Sequence, residues 1–343
     1  MVCVRLSVAG RRVCVMDSAT ENCAGGAPGP AVGRGGRPAG PGRPASLSPS
    51  RAADFMQCPL LYRFRVIDRL PEKPSAAATR GTVVHAVLER LFDAPAADRT
   101  AVRARGLVPG EWEKLLASRP ELAQLFQGED GAQDPALLAT WLGEAERLVE
   151  RWFSLEDPTR LEPAERELFV ETVLEDAGAS GLTLRGIVDR VDVAPTGDVR
   201  IVDYKTGKAP APRYREGALF QMMFYALVIW RLRGRVPRRL QLVYLGSGDV
   251  LTYDPVEAEL LAVERKLRAL WEAISLATDT GDWRPRPTKL CGWCDHQAVC
   301  PEFGGTPPPY PLPLPGQRGG PSGGASGGPA VPAGEEQGRM DPV

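Results

Sequence analysis

GIVDRVDV at residues 186–193, followed by VRIVDYKTGK at residues 199–208, is the stretch that decides the fold. Both segments are rich in Val and Ile, and Pro195-Thr196-Gly197-Asp198 between them is a turn cluster. They read as antiparallel strands of one hairpin. Side chains alternate along a strand, which sets Asp203 and Lys205 on one face and turns Tyr204 away. Asp189 on the adjoining strand can lie beside Asp203, so two carboxylates and an ammonium converge. An isolated Asp-x-Lys reads as a surface ion pair, but a second aspartate at the matching place favours a shared cation pocket. Hard cations such as Mg²⁺ take oxygen ligands, one or two carboxylates plus a substrate phosphate. Bound there, such a cation acidifies its water, and a neighbouring lysine orients that water or stabilises developing charge.

Working outward, Glu167 to Leu174 is also strand-like and completes a three-stranded meander with Leu182–Val193 and Val199–Tyr204. A helix follows from about Gly217 to Leu232, then a strand from Leu240 to Leu245, then a long helix from Pro255 to about Ala277. Upstream, Ser48 caps a helix opened by Pro49 and broken at Pro59. A second helix, about Ala77 to Phe92, carries Val84, Val87, Leu88 and Leu91 on one apolar face. Polar helices run on to about Glu156, with Trp141, Leu148 and Trp152 as buried positions. The order α, β, β, β, α, β with a closing helix makes the fold α/β, a mixed sheet flanked by helices. Asp192 lies an odd number of residues from Asp189 and is assigned a structural salt bridge on the opposite face. Arg190 either contacts phosphate or pairs with Asp192 or Glu167.

Of 343 residues, 43% are hydrophobic and 25% charged, the profile of a soluble globular core. Residues 24–45 are almost entirely Gly, Ala, Pro and Arg, and the tail after Phe303 is similar. Such segments bury too little apolar surface to offset the entropy of ordering. Disorder is therefore expected for residues 1–45 and 304–343, with one folded domain at residues 46–303; a start nearer Ser46 would leave that fold whole. No run approaches the roughly 20 apolar residues of a membrane span, which implies no membrane partner and a cytoplasmic location. A net charge of −1 argues against a general nucleic-acid coat protein, but the ten bases between Arg200 and Leu240 face only two acids there. The absence of a GxxxxGK[ST] loop means that the chain is not itself a helicase.

Seven cysteines in a reducing compartment point away from disulfides. Cys3, Cys14 and Cys23 lie in the atypical N-terminal stretch. Cys291, Cys294 and Cys300 in KLCGWCDHQAVCPEF form three quarters of a tetrahedral thiolate site, and Cys58 is the candidate fourth ligand. Four thiolates suit Zn²⁺ as well as a [4Fe-4S] cluster, and His296 adds a zinc-compatible donor. Either metal would close a loop of more than two hundred residues.

This arrangement resembles the PD-(D/E)xK nuclease superfamily, within it the RecB-like nucleases, which include helicase-associated nuclease domains and the four-cysteine CRISPR adaptation nucleases. The resemblance covers roughly residues 47–302. The usual proline before the first acid is replaced here by Ile187-Val188. The resemblance implies that His85 in RGTVVHAVLERL binds metal together with Asp189, Asp203 and the Tyr204 carbonyl, the ion being Mg²⁺ or Mn²⁺. Lys205 would assist the attacking water. Gln221 and Tyr225, at i and i+4 of the helix after the third strand, match the family's Gln-x-x-x-Tyr motif and would position DNA or order the site. Met222, Met223 and Phe224 between them read as core. The one-plus-three cysteines resemble the branch's iron–sulfur staple. The expected function is hydrolysis of DNA from single-stranded ends, in repair or recombination and beside a separate helicase. CRISPR adaptation or a non-catalytic DNA-binding accessory subunit are the alternatives.

Overall fold

The computed structural model describes residues 44–176 and 179–310, together with two short strands, β1 (Leu6–Val8) and β2 (Arg11–Val13), which pair antiparallel. The rest of residues 1–43, and residues 311–343, on which the expected disorder falls, lie outside the described residues.

Five strands make the main sheet, in the order β3 (Glu165–Asp176), β4 (Ala179–Val193), β5 (Val199–Lys205), β6 (Arg239–Tyr244) and β7 (Asp249–Tyr253). The first three form the expected meander. β5 and β6 are parallel, so the chain must cross between them through a helix, α6 (Arg215–Arg233). β7 is an addition to the expected order, and it pairs antiparallel to β6. The remaining helices are α1 (Pro49–Gln57), α2 (Pro59–Tyr62), α3 (Ala76–Leu91), α4 (Ala101–Ser118), α5 (Pro135–Trp152) and α7 (Glu257–Thr280). The Ser48 hydroxyl accepts the Arg51 N–H at 3.3 Å and Pro49 opens α1, as the cap signal predicts. Gly234, at φ 69°, ends α6 in the left-handed conformation that glycine adopts without strain.

Helices cover both sides of the sheet. One core joins α1, α6 and α7 to Val191, Ile201 and Leu242; the other joins α3, α4 and α5 to Val202, Tyr204 and Val243. Adjacent residues of β5 and β6 thus enter different cores, which is why these strands read as nearly continuous apolar runs. Val84, Val87, Leu88 and Leu91 are buried as expected, and so are Trp141 and Trp152. Leu148 is only partly buried, and its neighbour Val149 takes the core position. Met222, Met223 and Phe224 are buried in the first core.

The ordered chain runs past Phe303. Tyr310 stacks at a tilt against Trp283 (6.1 Å between centroids), lies under the Arg63 guanidinium and donates its hydroxyl to the Thr278 carbonyl at 2.8 Å. Tyr310 thus packs against the C-terminal end of α7 and the residues that follow it. Among the described residues, no helix is long and apolar enough to cross a membrane.

Candidate active site

The site lies where β4 and β5 part. Their register runs from Val193↔Val199 to Arg190↔Val202 and stops. Farther along, the same edge of β4 is taken by Leu47, which exchanges backbone hydrogen bonds with Thr183 (2.8 Å) and Arg185 (3.0 Å). Between these two pairings, residues 186–189 face a gap. There the Asp189 carboxylate accepts the Tyr204 N–H at 2.7 Å, a donor left without a strand partner on that side. α6 crosses close to the gap: a Cβ on Gly186 would stand 2.6 Å from Cε1 of Tyr225, so only glycine allows this approach.

α3 brings His85 to the same point. Its Nε2 lies 2.9 Å from the Tyr204 carbonyl, and its Nδ1 is 3.4 Å from Asp189 and 4.0 Å from Glu167. Donor atoms of His85, Glu167 and Asp189 all fall within 4.8 Å of one another, the one such group of three among the described residues. Asp203 is nearly fully buried and faces the other way along the site. Its Oδ2 is 2.7 Å from Lys205 Nζ, its Oδ1 accepts from Gln221 Nε2 at 3.1 Å, and Lys205 donates to Gln221 Oε1 at 2.9 Å. Gln221 thus ties the second carboxylate to the lysine, and Tyr225, buried against Gly186, fixes the helix that carries it.

Charge is concentrated here. Burial lowers the His85 pKa, but the hydrogen bond and charge of Asp189, with Asp203 and Glu167, outweigh it and push it up to about 9. Burial and the Asp189 charge raise Asp203 to about 6 against the pull of Lys205, and raise Glu167 to about 7. This donor set fits a hard divalent cation: carboxylate oxygens, an imidazole and a backbone carbonyl meet around a local excess of acid. Glu167 is the donor of this group that sequence reasoning did not single out. Arg166↔Arg190 and Leu168↔Val188 flank it, so it stands opposite Asp189, and a register counted back along the hairpin finds it. Its φ of 44° is rare for a residue with a side chain and marks local strain.

Arg190 does not face a ligand. It is 1% exposed and donates to both Glu156 oxygens (2.7 and 2.9 Å), to Asp192 and to the Tyr204 hydroxyl. The expected phosphate contact is corrected to a buried ion pair, made with Glu156 and Asp192 and not with Glu167. Asp192 also binds Arg200 at 2.8 Å, the structural salt bridge its position implied. The basic zone between Arg200 and Leu240 is likewise partly neutralised, since Arg231, Arg235 and Arg239 pair with Glu264, Asp198 and Asp254.

Cys58, Cys291, Cys294 and Cys300 line one cleft beside α1 and the C-terminal turns. The Arg286 N–H points at Cys58 Sγ (3.4 Å) and the Thr288 N–H at Cys291 Sγ (3.3 Å). His296 is buried, bonded to Glu72 at 3.0 Å and edge-on to Phe64.

The chain is similar to several known proteins. The chain is 25% identical over 288 residues to the Gene 69 protein of Mycobacterium phage D29 and 24% identical over 306 residues to that of Mycobacterium phage L5. Each match spans 75% of this chain and 96% of the phage protein. Among solved structures, a candidate exonuclease from Eubacterium rectale aligns with a TM-score of 0.46 at 13% identity, over 73% of this chain and 87% of its own. The sequence profile of the PD-(D/E)XK nuclease superfamily matches residues 46–301, well over half of the chain. The protein belongs to the PD-(D/E)XK nuclease superfamily.

Proposed function

We propose that this protein is a metal-dependent nuclease of the RecB-like branch, hydrolysing phosphodiester bonds of DNA from single-stranded ends in repair or recombination, beside a separate helicase. The observation that carries the reading is the convergence of His85, Glu167, Asp189 and the Tyr204 carbonyl next to the Asp203–Lys205–Gln221 cluster. The first four, with Asp203, would hold Mg²⁺ or Mn²⁺. When bound, the cation supplies an acidified water and charge shielding at phosphorus. Lys205, fixed by Asp203 and Gln221, presents its ammonium to the attacking water and to charge that grows on the phosphoryl oxygens. Asp189 anchors the backbone at Tyr204 and so sets where Asp203 and Lys205 stand. The preference for single-stranded ends comes from the family resemblance.

For the cysteines, a [4Fe-4S] cluster is the reading we favour. What supports it is the one-plus-three spacing of Cys58 with Cys291, Cys294 and Cys300, through the resemblance to the iron–sulfur branch. The two N–H···S contacts also suit thiolates.

End-labelled single- and double-stranded oligonucleotides, digested with Mg²⁺ and then Mn²⁺, test the catalytic reading. Lys205→Ala should cut at least a hundredfold more slowly than the parent. Equal rates for the two proteins would reject the mechanism.

A further inference from the structure

The β3–β4 hairpin runs beyond the metal-binding group, and its next residue pair is exposed and apolar. Phe169 and Ile187 pair across the strands, two residues from Glu167 and Asp189, and are 41% and 49% exposed while Leu168, Val170 and Val188 are buried. Farther along stands Arg185. Its backbone donates to Leu47, and the Arg51 guanidinium donates to the carbonyl of Ser46 beside it at 3.2 Å. The two arginines are thereby anchored to one short segment. Arg69, on an exposed turn at φ 52°, is near enough to repel Arg51, as Arg185 does. Among the described residues, no carboxylate forms an ion pair with Arg51, Arg69 or Arg185, although Glu171 stands opposite Arg185 in the register. Three guanidinium groups without an ion pair, outnumbering the Glu171 carboxylate opposite Arg185, leave positive charge that an anion can meet.

We propose that this arm is the track for one DNA strand entering the active site, with bases resting on Phe169 and Ile187 and phosphates on Arg185, Arg51 and Arg69. The inference rests on the nuclease reading and adds the strand's path to it. The dimensions match: Ile187 and Arg185 lie about 7 and 13 Å along the strand from Asp189, the span of about two and four stacked nucleotides. Aromatic platforms accept any base, and arginines follow the backbone whatever its sequence, so the track is blind to sequence.

Binding of a fluorescent 12-nucleotide single strand, measured by anisotropy on the full chain with Ca²⁺ replacing Mg²⁺, tests the track over a range of salt. Phe169→Ala should weaken binding about tenfold, and Phe169→Trp should restore it. Arg69→Gln with Arg185→Gln should flatten the log–log salt dependence by about 1.4, at about 0.7 per phosphate contact. Arg69→Gln alone, at an exposed side chain, should remove half of that, which keeps the test open if the double variant folds poorly. Parent-like affinity and salt slope in these variants, or no binding by the parent, overturns the track. Hydrolysis of bis(p-nitrophenyl) phosphate by the parent reports on the metal site separately. Hydrolysis without variant effects on binding leaves the nuclease reading standing alone, and variant effects without hydrolysis leave the track alone.

Discussion

His85 is an imidazolium at neutral pH, held there by the acids around it, and it occupies the place where a cation's charge would sit. Binding a metal requires that proton to leave and the Asp203 and Glu167 protons to be absent. All three groups have folded-state pKa values above their ordinary ones, at about 9, 6 and 7. The stability each lends is complete below its unfolded pKa and is lost as pH rises through the folded value, so these groups make the metal-free protein less stable from about pH 4 to pH 9. Mn²⁺ should reverse that loss. The metal-induced rise in melting temperature should therefore be larger at pH 8.5 than at pH 6, and calorimetry in buffers of different ionisation enthalpy should detect released protons. An equal rise at both pH values would show that His85 is not a ligand. Asp189, Asp203 and Lys205 were legible because strand periodicity and one short turn fix their relation. Glu167 was not, because its relation to Asp189 passes through a longer connection and a strained φ.

At the level of elements, the αβββαβ order was legible because hydrophobic period changes cleanly from helix to strand and back. β7 escaped notice because DVLTY is short and half-exposed, with no long apolar run to announce it. The parting of β4 from β5 was also invisible, since a hairpin reading assumes that the ladder continues. Arg190 shows the cost of that assumption: by sequence it neighbours Asp189, yet it is sealed beneath the sheet with Glu156, whose remaining bonds go to Trp152 and Gln241. Breaking such a pair leaves a buried charge without compensation, so Arg190→Ala should destabilise the fold by about 3–5 kcal/mol. Glu156→Ala should cost a similar amount, and the double variant less than the sum. Chemical denaturation measures all three. A loss of DNA binding by Arg190→Ala with unchanged stability would restore the phosphate role.

For the whole molecule, the cysteine cleft joins α1 to the last turns across more than two hundred residues. The loop-closure argument for a crosslink of that span gives about 5 kcal/mol, or roughly 10 °C or more in melting temperature. Cys58→Ala purified without oxygen should lose iron and the cluster's visible absorbance, and melt lower by about that much. A colourless parent containing zinc would reject the cluster. The four cysteines were legible from spacing, but their metal was not, because thiolates alone do not choose between iron and zinc. His296 shows why a donor near a cysteine motif is a weak guide: burial against Phe64 and a bond to Glu72 account for it fully.

β3 is the outermost strand of the main sheet, with β1 of the small sheet lying near part of it. Twelve residues of backbone along that border are a template on which a foreign strand, or a second molecule, could zip. Glu165, Glu167, Glu171 and Glu175 stud it with like charge, a deterrent that lasts only while those acids are ionised. Acidic solution therefore removes the guard from this border.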